Sequence, residues 1–279
     1  MPLNSYLATP PSANLQRARG QLVISTQRAR GDVTRLRNLR QQGSYRVIFP
    51  RPIGGNVEAV IINTAGGVTG GDKFITQITA HEHAHLSVTT QAAERIYRAT
   101  ASATGTIETM LCVEQNAQLY WLPQETIMFD GARLRRSIDV DLHGSAKFLL
   151  VEPLVFGRKA SGETLHSGAL DDRVTITRDG QPIYLDRFKL KGDIAASLVR
   201  PAVANGAHAV ANIVLVDPNA KVSLERLRDL LPSNAGASLL SDTVLVARII
   251  AADSYDLRCA LFPILTHLTN NAVPKNWRL

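Results

Sequence analysis

The sequence predicts a mainly β protein whose helices are confined to its C-terminal end. Three observations lead there: short segments of alternating apolar and polar residues, glycine- and aspartate-rich turns between them, and helical leucine spacing only from Ser223 onward. Alternation marks residues 21–24, 46–49, 57–62, 86–90, 136–143, 173–177 and 212–216 as strands. The clearest is 137–143. There Ile138, Val140 and Leu142 fall on one face and Asp139, Asp141 and His143 on the other, as in a half-buried strand.

Turn residues punctuate these strands at Gly54-Gly55-Asn56, Gly66-Gly67, Gly70-Gly71-Asp72, Asp130-Gly131, Asp179-Gly180 and Asp217-Pro218-Asn219. Their spacing is too uneven for a sequence repeat. Ser223 is placed to cap a short helix through Leu224, Leu227, Leu230 and Leu231, stopped by Pro232. Beyond Ser254, Leu257, Leu261, Ile264, Leu265 and Leu268 trace a second helix, which Pro263 is expected to kink or split. The same stripe is a candidate for an apolar patch that a partner protein would cover. Helices do not alternate with strands, which argues against a doubly wound nucleotide fold. No linker divides the chain, so residues 1–279 read as one domain.

Composition bounds the function. With 279 residues, 45% hydrophobic and 20% charged, the chain can bury a core and is not a disordered segment. No apolar run approaches the ~18 residues of a membrane helix. Pro10 and Pro11 stand where a secretory signal would need an apolar stretch. Cys112 and Cys259 are too far apart in the sequence to form a CxxC pair, which fits a reducing, cytoplasmic setting and excludes a thiolate metal cage. The net charge of +7 is concentrated in residues 17–46, where eight arginines face one acid, Asp32. A single-stranded nucleic-acid surface would need interleaved aromatics there, and only Tyr45 and Phe49 are near. A solvated or protein-binding face is the better reading of that run.

The glycine cluster from Asn63 to Asp72 lacks both the Lys-Ser/Thr pair of a Walker loop and the order of a dinucleotide fingerprint, so it reads as a tight turn ending on Asp72. His81, His83 and His85 stand at every second position. On a strand they would share one face and could offer imidazoles to Ni²⁺ or Zn²⁺, although same-face neighbours lie roughly 7 Å apart. The hydroxyls of Thr89 and Thr90 have no assignable base, and neither a G-x-S-x-G elbow nor an H-E-x-x-H pair is present. Glu125, Glu152 and Glu163 stand in conspicuous settings. Glu152 and Glu163 could form a glycosidase pair, but aromatics to stack sugars are few, and pairing with Arg158 or contact with a hard cation is the better reading.

Taken in order, these motifs resemble those of the urease accessory protein D family, called H in some organisms. The resemblance is carried by Asn63 to Asp72, by Thr89-Thr90-Gln91 with Tyr97, and by Trp121 to Phe129 with Gly131-Ala132-Arg133. It continues through Phe156-Gly157-Arg158 with Ser161-Gly162-Glu163, and through the closing Pro274-Lys275-Asn276-Trp277. It spans most of the chain, with Arg95 where the family usually has lysine. It implies a fold of β-helix-like stacked strands with about two C-terminal α-helices. It also implies a non-catalytic maturation factor that binds apo-urease and accessory proteins F and G, with GTP on the partner GTPase rather than on this chain. Nickel would be transient cargo, not a tightly bound cofactor, and weak oxygen or imidazole ligands suit such transfer. On this reading Asp72, Glu125, Glu152 and Glu163 contribute to a polar nickel passage, while Gln91, Tyr97, Trp121 and Arg158 serve the shared motifs or partner binding. The competing classes are a β-helical carbohydrate-active enzyme and a basic nucleic-acid module.

Overall fold

The computed structural model describes residues 16–51, 55–100, 103–158 and 161–278. Pro10, Pro11, Gly54 of the first predicted turn, and Lys159 and Ala160 between Arg158 and Ser161 lie outside the described residues. The N-terminal part comprises strands β1 (Arg19–Ala29), β2 (Val33–Gly43), β3 (Tyr45–Ile48) and β4 (Val57–Asn63). The chain then coils. One turn contains β5 (Lys73–Ala80), β6 (His85–Thr90) and β7 (Glu94–Ile96); the next contains β8 (Gly105–Val113), β9 (Gln118–Trp121) and β10 (Thr126–Met128). In the third, β11 (Arg133–Leu142) is followed by β12 (Lys147–Phe156), long enough to pair with both β9 and β10. The C-terminal part adds β13 (Ala169–Arg178), β14 (Gln181–Lys191), α1 (Ile194–Val199), β15 (Ala209–Val216), α2 (Ala220–Leu230), β16 (Ala235–Ser241), β17 (Val244–Ala251) and α3 (Ser254–Leu268).

These strands stack as a β-solenoid-like arrangement of about four turns. One sheet runs β14-β13-β11-β8-β5-β1-β2, and the five strands from β13 to β1 are mutually parallel. The other runs β16-β17-β15-β12-β9-β6-β4-β3, parallel from β12 to β4. Period-two alternation explains the stacking, because each coil turns the same parity of side chains inward at the same height. Ile24, Ile78, Leu111, Val140 and Ile176 form one in-register inner row. Ala59, Val88, Trp121, Leu150 and Val214 form an inner row on the other sheet, and both rows belong to one apolar core. Each valine, leucine or isoleucine in these rows contributes about 1.5–3 kcal/mol by leaving water.

The second sheet is apolar on its outer face as well, and there α2 and α3 cover it. Leu149, Val151, Ile213 and Ile249 pack with Leu227, Leu257, Leu261, Ile264 and Trp277 in a second core. The stripe from Leu257 to Leu268 is therefore buried within the chain and is not a patch awaiting a partner. Helix α3 also runs without a break through Pro263. The backbone bond that Pro263 cannot make would go to the carbonyl of Cys259, a residue on the exposed side of the helix. Helix α2 starts earlier than predicted, with Asn219 as its N-cap and Ser223 inside it. Helix α1 has only six residues, too short to show a period, and is fixed by the Asp193 carboxylate accepting from Ala196 N at 2.9 Å. No helix among the described residues is long and apolar enough to cross a membrane.

Candidate functional site

The inward rows are not apolar throughout. One register level of the first sheet reads Gly20, Phe74, Ile107, Arg136 and Asp172 across five strands. Arg136 on β11 and its neighbour Asp172 on β13 thus point inside, where a charge survives only if it is paired. Arg136 gives Asp172 a two-pronged contact, Nε to Oδ1 at 2.9 Å and Nη2 to Oδ2 at 2.6 Å. Its Nη1 reaches across to Glu152 Oε2 on β12 at 2.5 Å and donates to Thr126 Oγ1 at 3.1 Å. Trp121 Nε1 donates to the second oxygen of Glu152 at 2.5 Å. Burial pushes the Glu152 carboxyl upward, with Arg136 opposing. Burial also acts to lower the Arg136 guanidinium, but the two carboxylates outweigh it and leave it raised.

This cluster borders a cavity of about 220 Å³ inside the coil. Thr76, Thr109 and Thr126 line it with Arg136, Glu152 and Trp121, and Gln91, Ala92 and Glu94 close one side. Gln91 and Ala92 are exposed, which places the mouth at the bend before β7. The volume is well above the ~10–15 Å³ that one water requires, and the polar groups in its mixed lining give water partners. Glu94 is the second acid on the cavity. Asn63 Nδ2 donates to both its oxygens, at 3.0 and 3.2 Å, and burial nevertheless raises its carboxyl to about 7. The cavity can therefore offer a small cation two carboxylates, hydroxyls and a carboxamide, all exchangeable oxygen donors.

Of the residues singled out from the sequence, Gln91, Trp121 and Glu152 meet on this cavity. Asp72, Glu125 and Glu163 do not line it, and each is engaged locally. Asp72 closes the glycine turn, accepting from Thr69 N and from Ala18 N, both at 2.8 Å. Glu125 receives Arg258 of α3 at 3.1 and 3.0 Å. Glu163 accepts from Arg158 Nε at 3.0 Å and from the Asp130 and Arg158 amides; burial alone would raise its carboxyl, but these donors hold it below the usual range. The structure therefore does not bring Glu163 to the cavity that holds Glu152, as a glycosidase pair would need. Tyr97 packs edge-on against Phe129 with centroids 5.1 Å apart, and Arg158 lies over the same ring at 4.3 Å. Tyr97 also explains Gly67, where a Cβ would meet its ring at 2.4 Å and the Arg95 carbonyl at 2.6 Å.

The histidines do not form a row on one strand. Residues 81–84 make the turn between β5 and β6, His83 has φ +60°, and only His85 belongs to a strand. His81 Nδ1 contacts Glu114 at 2.8 Å instead. The alternation of histidines coincides with a turn because Ala84 N bonds back to the His81 carbonyl at 2.9 Å, ending the extended run. Among the described residues no group of three or more His, Cys, Asp or Glu side chains is placed to hold a metal ion. Cys112 is half-buried, Cys259 is exposed, and both are free.

Sequence reasoning missed Glu94, Arg136 and Asp172. For two of them a signal existed. Arg136 shares the parity of Leu134, Ile138 and Val140, and Asp172 that of Leu170, Val174 and Ile176, so each breaks an otherwise apolar inward face. Glu94 lies on a three-residue strand, which has no alternation to read.

Comparison with known proteins places the chain among relatives along nearly its whole length. The sequence pattern of the UreD urease accessory protein family matches residues 17–278. The chain is 47% identical to the urease accessory protein UreD of Ruegeria pomeroyi, over 89% of this chain and 97% of that protein. It is 46% identical to that of Roseobacter denitrificans, over 94% and 96%. Its identity to that of Rhodopseudomonas palustris is 42%, over 99% of both chains.

Proposed function

Because the chain belongs to the UreD urease accessory protein family, we propose that it is a non-catalytic maturation factor through whose polar interior nickel reaches apo-urease. Accessory proteins F and G are its partners in this reading, with nickel as cargo and GTP on the partner GTPase. The single observation that supports a cargo route is the cavity inside the coil that brings Glu152, Glu94 and several hydroxyls together. Oxygen donors suit transfer, since they bind Ni²⁺ less tightly than thiolates and exchange it readily. Glu152 and Glu94 contact the ion, and Gln91 stands at the entrance. Asp72, Glu125 and Glu163 hold the surrounding turns through the hydrogen bonds described above and so position the passage. The histidine turn stays outside the route.

Co-expression with the urease subunits and the other accessory proteins tests this reading. Glu152→Gln and Glu94→Gln should lower nickel in urease while the variant chain still co-purifies with its partners. Glu163→Gln should loosen its loop and lower stability and assembly together. Joint replacement of His81, His83 and His85 by glutamine should affect nickel least. The opposite ranking would move the metal path to the histidine turn.

A further inference from the structure

Strand β2 is the outermost strand of the first sheet, bonded on one side only, to β1. Every residue from Arg35 to Gly43 is exposed. Among the described residues the other edge of that stretch has no backbone partner, and such an edge is a template for a further strand. The register with β1 skips Arg37, a bulge that reverses the alternation and leaves residues 38–43 as the regular stretch. Pairing then assigns the faces. Leu36 and Leu39 stand opposite Thr26 and Ile24, on the side of the core, yet are 39% and 36% exposed. Arg35 and Arg40 stand opposite Gln27 and Val23, on the outer side.

Three arginines without an acid partner stand together on this one edge, whereas several others on the surface are paired. Arg98, Arg158, Arg173, Arg187 and Arg248 each pair with an acid at 2.5–3.2 Å. Among the described residues, no acid lies within ion-pair distance of Arg35, Arg37 or Arg40; the one side-chain contact is Arg40 to Gln42 at 3.4 Å. Apart from the Gly43 carbonyl, which accepts from Arg46 Nη1 at 2.8 Å, the edge thus presents main-chain groups without a partner strand, two apolar side chains and three unneutralised cations. We propose that β2 is a docking edge for an acidic, extended segment of another polypeptide, which adds a strand along residues 38–43 with acids over the outer face and apolar residues toward Leu39. A second copy of this chain is disfavoured, because β2 against β2 would bring six arginines together. Nucleic acid is disfavoured too, since β2 has no aromatic residue to stack a base and its free amides match a peptide edge. This inference does not depend on the nickel route.

A photoreactive benzoylphenylalanine at Leu39 of the full-length chain, in urease-producing cells, tests it. The cross-linked peptide, sequenced by mass spectrometry, should come from another polypeptide and alternate acidic with apolar residues. A synthetic copy of that peptide should slow amide exchange across residues 38–43. Its affinity should fall roughly ten-fold or more for the R35E/R37E/R40E variant and hold within about three-fold for R35K/R37K/R40K, as expected for charge-directed pairing. The lysine variant guards against misfolding as the cause. The proposal is overturned by absence of a cross-link, or by one only to nucleic acid or to a second copy. A captured segment without acidic excess, unchanged exchange across 38–43, or unchanged affinity on charge reversal would equally overturn it.

Discussion

Arg136 stands between Glu152 and Asp172 with its side chain 7% exposed, so each carboxylate depends on it. Arg136→Met should destabilise the protein by about 3–5 kcal/mol, because two buried acids lose their shared cation; urea unfolding measures this. Glu94 gives a pH signature of its own. Its carboxyl titrates at about 7 in the folded chain against a reference of 4.5, so its contribution to stability is fully present below pH 4.5 and is lost as pH rises through about 7. Glu94→Gln, neutral at all pH, should therefore melt higher than the parent at pH 8 and lose that advantage by pH 5. A melting difference that does not change with pH would show that Glu94 ionises normally. The polar interior was partly legible in the sequence: Glu152 drew attention by its motif, and Arg136 and Asp172 break apolar faces. Their convergence was not legible, because it depends on how three separate strands, β11, β12 and β13, are brought together by the coiling.

At the scale of elements, α3 and the closing 3-10 turn Lys275–Trp277 bind the C-terminal end back onto the coil. Trp277 is 1% exposed and donates to the Leu122 carbonyl at 3.0 Å, while Arg258 of α3 reaches Glu125 and Gln124 and lies 5.2 Å from the Trp277 ring. Trp277→Ala should cost about 3–5 kcal/mol by cavity formation. Glu125→Ala should cost about 1–3 kcal/mol by removing the carboxylate that Arg258 donates to, and both losses are read by thermal or denaturant unfolding. Strands were the legible elements, since alternation over residues 137–143 reports burial directly. Helix α1 was invisible at six residues. The histidine spacing misled because period two appears by chance in a turn, where the positive φ of His83 removes any common face.

At the scale of the whole molecule, the sequence pattern specified strands and turns, whereas the coiling of those strands came only from the family resemblance. The uneven turn spacing has a physical reason. Successive coils share inward parity and a four-residue corner after β5, β8 and β11, but the corner leading to the next coil differs, eight residues between β7 and β8 against four between β10 and β11. The central claim is that nickel passes through the cavity beside Glu152 on its way to urease. The most direct test is the nickel content of urease co-expressed with the accessory proteins and either the parent chain or Ala93→Trp, with co-purification checked in both; Ala93 is half-buried and lines the cavity between Ala92 and Glu94, so the larger ring narrows it. The account predicts intact assembly and nickel-poor, inactive urease with the tryptophan variant, matching deletion of the chain. Normal nickel content in urease matured by an assembled Ala93→Trp complex would contradict it.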